Sequence, residues 1–325
     1  MMPEPGPAPA AGAAVAAAAA AAAQVAVSTR VRSALDGGRA VVALESTLIT
    51  HGLAAPRNLE AARNAEAAVR AGGAEPATVA VMDGQLIVGL SDSQLEQLAS
   101  IQGARKASRA TLGLALAEGG WAGTTVSATM IAAALAGIRV FATGGIGGVH
   151  RGGASSMDIS ADLDELARTP VLVVCAGPKS VLDVDLTLEY LETRGVPIVG
   201  FGTRELAGFF ARESGRRLAG SVADAAAAAR LATTHWGLGL ATGLLVAVPV
   251  PAEFALERDE AEAAIAQAVA DSEAAGVHGP AATPYVLARV AELTNGRSVA
   301  ANLALIENNA RVAADIAVAM AEMDT

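Results

Sequence analysis

Short apolar, β-branched runs recur along this chain with helix-like stretches between them, and that alternation limits the fold more than any other feature. The runs are Val41–Leu44, Thr78–Met82, Gln85–Val88, Ile138–Phe141, Val171–Cys175, Pro197–Phe201 and Leu244–Val250. A strand buried on both faces reads as a continuous apolar run rather than an alternating one, and parallel strands need helical crossovers. Helical periodicity covers Arg30–Leu35 and Leu59–Arg70, each closed by a Gly pair, then Gln94–Leu98 and an Ala-rich stretch ending at Ala136-Gly137. Further helices are expected up to Thr193, over Glu253–Ala275, and over Thr283–Asp324 with a break at Asn295-Gly296. Asp83-Gly84 between two apolar runs is a hairpin signal. The expected fold is α/β, a three-layer α/β/α sandwich with a mainly parallel central sheet.

Composition narrows the partners. Of 325 residues, 53% are hydrophobic but only 3% aromatic, so the core is built from Val, Leu, Ile and Ala. A net charge of −10 argues against a nucleic-acid backbone as partner, while leaving room for a local cationic pocket. One cysteine, Cys175, rules out an intramolecular disulfide and a cysteine-rich zinc site, which suits a cytoplasmic setting. Residues 1–28 are Pro/Ala-rich; Glu4 stands where a signal peptide needs positive charge, and the Ala run is too weakly apolar for a membrane span. They are expected to form a disordered tail, with 29–325 as a single domain.

The chemistry-capable residues concentrate between Val140 and Asp162, in VFATGGIGGVHRGGASSMDISAD. A strand ending in a glycine-rich loop is where α/β folds bind ligands, and glycines let backbone N–H groups approach an anion. The stretch lacks the third Gly of a dinucleotide fingerprint. Asp158 and Asp162 offer hard oxygens to Mg²⁺ or Mn²⁺, or Ser160 caps a helix with Asp162 and Asp164 in its first turn. His150 is an acid–base group or a hydrogen-bonded loop residue. Glu45, at the end of a strand, is a general acid or a structural carboxylate. Lys179, directly after VVCAGP, is a desolvated nucleophile or an ordinary surface lysine. Lys106, beside Arg105 and Arg109, grips a phosphate or lies on a solvated face, and Asn302 needs a partner if buried.

Taken in order, ALESTLITHG from Ala43, the DG at Asp83, K-x-S-R from Lys106, TTVSATM from Thr124, FATGGIGGVHRG from Phe141, DISADL from Asp158, CAGPKSVLD from Cys175, LETRGVP from Leu191 and ANLALIENNA from Ala301 strongly resemble the pseudouridine-5'-phosphate glycosidase family, which includes the indigoidine-synthase-A-like proteins. The resemblance spans about Val41 to Asp315. It implies an enzyme, formally a carbon–oxygen lyase, that reversibly splits pseudouridine 5'-phosphate into uracil and ribose 5-phosphate. It also implies a homotrimer and one divalent ion per subunit, Mn²⁺ with Mg²⁺ or another divalent metal as substitute. Carried over by motif, Glu45 is the proton donor, Lys179 the nucleophile forming an imine at C1', and Asp158 the metal ligand. Lys106, Val126, Ser160, Ala161 and Asp162 fall on substrate-contact positions, and Thr125, Thr143, His150 and Asn302 on pocket positions. The departures are Pro178 before the lysine and Ala110-Thr111 after K-x-S-R; neither removes a catalytic group. Two other functions fit the same residues: a non-catalytic sugar-phosphate sensor, and an indigoidine-pathway role.

Overall fold

The computed structural model describes residues 24–277 and 282–323. In chain order the strands are β1 (Val25–Val27), β2 (Val41–Leu44), β3 (Glu75–Met82), β4 (Gln85–Val88), β5 (Arg105–Ala107), β6 (Trp121–Thr124), β7 (Val140–Ala142), β8 (Val149–His150), β9 (Leu172–Cys175), β10 (Leu182–Asp183), β11 (Ile198–Phe201), β12 (Gly220–Val222) and β13 (Leu244–Ala247). Along β3-β2-β7-β9-β13-β11-β12 every pairing is parallel. Strand β3 serves two sets of neighbours. Glu75–Thr78 pairs with β2, and the later residues pair antiparallel with β4 and β6. Strands β1 and β5 complete this wing, and β8 with β10 forms a separate two-stranded ribbon.

Side-chain alternation explains the layers. On β2, Val42 and Leu44 face one core while Val41 and Ala43 face the other, and β9 divides the same way, Leu172 and Val174 against Val173 and Cys175. The first face is covered by the helices Arg57–Ala71, Ala225–Gly237, Arg258–Ala274 and Arg297–Met323, which contribute Val69, Ala229, Ile265 and Leu305. The second is covered by Thr29–Asp36, Leu112–Glu118, Val126–Ala136, Ala161–Leu166 and Val184–Thr193, with Val31, Leu112, Met130, Leu163 and Leu191. With both faces covered, a polar position in a central strand would have no water to meet, and each fully buried Val or Leu contributes about 1.5–3 kcal/mol. The abundant Ala lets helices approach closely: a Cβ on Gly72 would lie 2.6 Å from that of Ala314 on the C-terminal helix.

The architecture is the expected three-layer sandwich. Asp83 and Gly84 take φ of 49° and 79°, as a two-residue hairpin of this hand requires. The tail boundary needs correction, because Val25–Val27 pair in parallel with Leu86–Val88 of β4. A three-residue edge strand is too short to stand out beside an Ala-rich run, yet the open edge of β4 accepts it. Residues 1–23, to which the remainder of the tail expectation applies, lie outside the described residues. Strands β5, β6 and β12 and the helix Ala225–Gly237 appear where no element was expected. The C-terminal helices are Ala282–Leu293 and Arg297–Met323, parted at Asn295-Gly296 as anticipated. Among the described residues no helix is long and apolar enough to cross a membrane.

Candidate active site

The central strands β2, β7 and β9 are adjacent, and each releases a functional group from its C-terminal end: Glu45 after β2, Thr143 after β7, Lys179 four residues after β9. This is the crevice position that parallel sheets offer for ligands. Ser46 fixes the first turn. Its hydroxyl donates to the Val79 carbonyl at 2.5 Å and accepts the Thr124 N–H at 2.9 Å, tying β2 to β3 and β6. The chain then enters a π-helical turn, Leu48–Gly52, a conformation frequent near functional sites. The Thr143 hydroxyl donates to Glu45 Oε1.

The glycine-rich loop and the lysine loop run side by side. Ala176 N–H donates to Gly144 O at 2.9 Å, Ile146 N–H to Gly177 O at 3.1 Å, and Lys179 N–H to Ile146 O at 3.0 Å. The glycines serve packing here. A Cβ on Gly145 would meet the Phe209 ring at 2.6 Å, and one on Gly147 would meet Asp162 Oδ2 at 2.7 Å. Four N–H groups of the loop are already engaged within the protein: those of Ile146, Gly147, Val149 and His150 donate to Gly177, Asp162, Thr187 and Asp158 respectively. The second reading of Ser160 holds, since it caps the helix Ala161–Leu166, its hydroxyl accepting the Asp162 N–H at 3.2 Å.

These loops enclose a cavity of about 360 Å³. Glu45, Lys106, Thr125, His150, Asp158, Ser160, Ala161, Asp162 and Lys179 all line it, although they come from segments far apart in the chain. Thr47, Ser108, Thr111, Val181 and Leu182 line it too and were not singled out from the sequence. Of these, Thr47 carried a usable signal, because it stands in the same EST turn as Glu45. Its hydroxyl is buried and has no hydrogen-bond partner. Thr111, at the departure from the family pattern, closes the Lys106 turn: its hydroxyl donates to Lys106 O at 3.0 Å and accepts the Ser108 N–H at 2.9 Å.

Three expected residues lie behind the walls. Val126 is wholly buried in the core. Thr143 is buried and reaches the cavity through Glu45. Asn302 does not line the cavity; its Oδ1 is 3.7 Å from where a Cβ would sit on Gly144. The amide that holds this loop is Asn309, two helical turns further on, which donates to Thr143 O at 2.9 Å. Asp162 also differs from a free substrate ligand, because Oδ1 accepts the Ser127 N–H and Oδ2 the Gly147 N–H, both at 2.9 Å.

The electrostatics hold a carboxyl that keeps its proton and a lysine of weakened basicity at the same cavity. Burial raises the Glu45 pKa above the ordinary carboxylate range, with Lys179 and the Thr143 hydroxyl pulling it down and Asp162 pushing it further up. Burial and the nearby Lys179 lower that of Lys106, against the attraction of Asp162 and Glu45. Cys175 lies beneath the lysine loop, and burial pushes its thiol up to about 12, so it is inert as a nucleophile. Asp158 is exposed at the rim, held by its backbone alone: its N–H donates to Ser156 Oγ and its carbonyl accepts the His150 N–H. Among the described residues no three His, Cys, Asp or Glu side chains cluster as metal ligands.

Fold and site together define an α/β enzyme with an acid and an amine at the C-terminal ends of two parallel strands, β2 and β9, that flank β7. The family model described as indigoidine synthase A like protein matches residues 30–319. The pseudouridine-5'-phosphate glycosidase of Sorangium cellulosum is 53% identical over 299 residues, 92% of this chain and 94% of the relative. Among solved structures, the prealnumycin C-glycosynthase AlnA, in complex with ribulose 5-phosphate, superposes with a TM-score of 0.86 at 41% identity over 92% of this chain and 98% of that one. An indigoidine synthase A-like protein from Thermotoga maritima does so at 0.82 and 35%, covering 91% and 96%. The chain belongs to the pseudouridine-5'-phosphate glycosidase family of indigoidine synthase A-like enzymes.

Proposed function

We propose that this enzyme cleaves the C-glycosidic bond of pseudouridine 5'-phosphate, reversibly, to uracil and ribose 5-phosphate through a covalent bond to Lys179. The observation that carries this is the convergence of Glu45 and Lys179 in one cavity, with the Glu45 carboxyl held above its usual pKa range. Likeness to an enzyme solved with a pentulose 5-phosphate supports a pentose phosphate as the sugar half.

A carbon–carbon glycosidic bond has no heteroatom on the leaving group to protonate, so the paired-carboxylate route of ordinary glycosidases does not serve. Glu45 protonates the ribose ring oxygen as the C1'–O bond breaks, and the Lys179 amine bonds to C1' of the opening sugar. The ammonium formed at C1' gives up a proton to the Glu45 carboxylate or solvent, a general acid delivers one to uracil C5, and the freed amine lone pair breaks the C1'–C5 bond, leaving a lysine imine. Water adds to the imine, releasing ribose 5-phosphate and the free amine. One water is consumed overall. Lys106, on the cavity wall, attracts the phosphate dianion, and Thr143 orients the Glu45 carboxyl.

Asp158 is suited to a divalent ion. Its exposed carboxylate is a hard oxygen donor that would hold Mg²⁺ or Mn²⁺. An ion held there would supply charge neutralisation. A trimer and a cytoplasmic location belong to the same proposal, and light scattering of the purified protein tests the first.

The deciding experiment is uracil release from pseudouridine 5'-phosphate with Mn²⁺ and with excess chelator. Release is expected with metal, is expected to fall to background in Lys179→Ala while its thermal melt stays within a few degrees of the parent, and is expected to be absent with unphosphorylated pseudouridine. Substantial C–C cleavage in Lys179→Ala would sink the covalent-lysine mechanism. Tight ribose 5-phosphate binding without release would point instead to a sensor.

A further inference from the structure

The cavity walls come from separate parts of the chain, and two buried carboxylates one helical turn apart hold them together. Asp162 and Glu165 lie on the helix Ala161–Leu166 and are 5% and 1% exposed. Asp162 takes the N–H groups of Ser127 and Gly147, joining the start of the helix Val126–Ala136 to the glycine loop. Glu165 takes the Thr169 hydroxyl on Oε1 and the Arg109 guanidinium on Oε2. Arg109 is tied a second time, its N–H donating at 3.1 Å to Ser127 Oγ, which lies 3.0 Å from the hydroxyl of Thr125, a wall residue. Arg109 stands three residues beyond Lys106, in the segment that also places Ser108 and Thr111 on the cavity wall.

We propose that Arg109 and Glu165 form a positioning clamp, which sets the Lys106 segment at a fixed spacing from the Asp158–Asp162 wall so that Lys106 meets the substrate anion. Neither residue lines the cavity, so both act through Lys106. The physical case rests on what the pair costs. A buried carboxylate is stable only when paired, and apolar groups of the same volume would hold the helix in the core at least as well. What apolar groups lack is direction. The ion pair links a guanidinium on a half-exposed loop to one atom of a buried anchor, which defines the loop's distance from the opposite wall. A charged group displaced from hydrogen-bond distance of its anion loses most of that interaction, because such bonds weaken steeply with distance and angle.

This inference rests on reading the cavity as the sugar-phosphate site, and three variants separate the two. Glu165→Gln keeps the shape and removes the charge, Arg109→Lys keeps the charge and removes the fork, and the double variant Arg109→Met/Glu165→Leu replaces the pair with apolar packing. In all three, KM for pseudouridine 5'-phosphate is expected to rise about tenfold with kcat changed less than threefold, the pattern of lost substrate binding. Ribose 5-phosphate affinity measured by calorimetry is expected to fall in parallel. The double variant is expected to lose no more stability than the roughly 1–3 kcal/mol of the buried Thr169 hydroxyl left without its acceptor, and to keep the KM defect. Recovery of the parental KM in the double variant, or an unchanged KM in both single variants, overturns the clamp. If the parent neither turns over substrate nor binds ribose 5-phosphate, the functional proposal fails, and the clamp is then decided by amide hydrogen exchange. Faster exchange over residues 105–111 in the variants supports it, and unchanged exchange overturns it.

Discussion

At the scale of single residues, the site is held against the stability of the fold. The Glu45 carboxyl keeps its proton to higher pH in the folded chain than in the unfolded one, chiefly because the cavity walls withdraw it from water. Its contribution to stability is therefore fully present below the unfolded pKa and is lost as pH rises through the folded one. Glu45→Gln retains a partner for the Thr143 hydroxyl and escapes that loss. Thermal melts are expected to place this variant above the parent at neutral pH, the gap closing as pH falls below the ordinary carboxylate range. A lower melt at neutral pH would mean that attraction to Lys179 outweighs burial. In activity the same sign appears as an alkaline limb: turnover declines as pH rises through the raised Glu45 pKa, and loss of the Lys106 charge at its lowered pKa adds to the fall. Thr47 makes a complementary case. A buried hydroxyl without a partner costs about 1–3 kcal/mol, and replacing it with a methyl of the same shape is near neutral or stabilising. Thr47→Val is expected to melt at or above the parent while binding ribose 5-phosphate several-fold more weakly; unchanged affinity by calorimetry would remove Thr47 from the site.

At the scale of elements, the C-terminal helix Arg297–Met323 does more than cover the sheet. Its Asn309, wholly buried, reaches from within an apolar helix face to the carbonyl of Thr143, where β7 becomes the glycine loop. The helix thereby sets the height of the residue that supports Glu45. Asn309→Ala leaves that carbonyl without its donor and is expected to cost about 1–3 kcal/mol in urea denaturation. A kcat loss larger than that of a core-truncating variant further along the same helix, such as Met320→Ala, would show that the amide acts on the loop as well as on the core. Legibility differed between elements for physical reasons. Strands β2, β9 and β13 are buried on both faces, and so appear as unbroken apolar runs. Strands β6 (WAGT) and β12 (GSV) carry glycine and lack a continuous apolar run, so their pairing comes from neighbours already in place. The helix Ala225–Gly237 opens on an Ala run whose faces scarcely differ in polarity.

At the scale of the whole molecule, the cavity is bounded by segments running from Glu45 to Leu182 that meet across two wings of one sheet. A ligand filling it binds only the assembled fold, so stability and occupancy are linked. Ribose 5-phosphate at a hundred times its Kd is expected to add about 2.7 kcal/mol, raising the melting temperature by several degrees. A saturating ligand that leaves the melt unchanged would contradict a preformed site.

By itself the sequence determined the chemical groups and the layering. Doubly buried strands must be apolar throughout, parallel strands must be linked by crossovers, and the ordered motifs identify the family. Only the tertiary structure decided which of those groups meet. Thr47, Ser108 and Thr111 line the cavity while Val126 is packed in the core and Asn302 is not part of the lining, and several of the loop glycines are required for close packing. The reason is the sheet order: β2, β7 and β9 are neighbours although about a hundred residues and then thirty separate them. A side chain's place at their ends depends on pairings that no local pattern encodes.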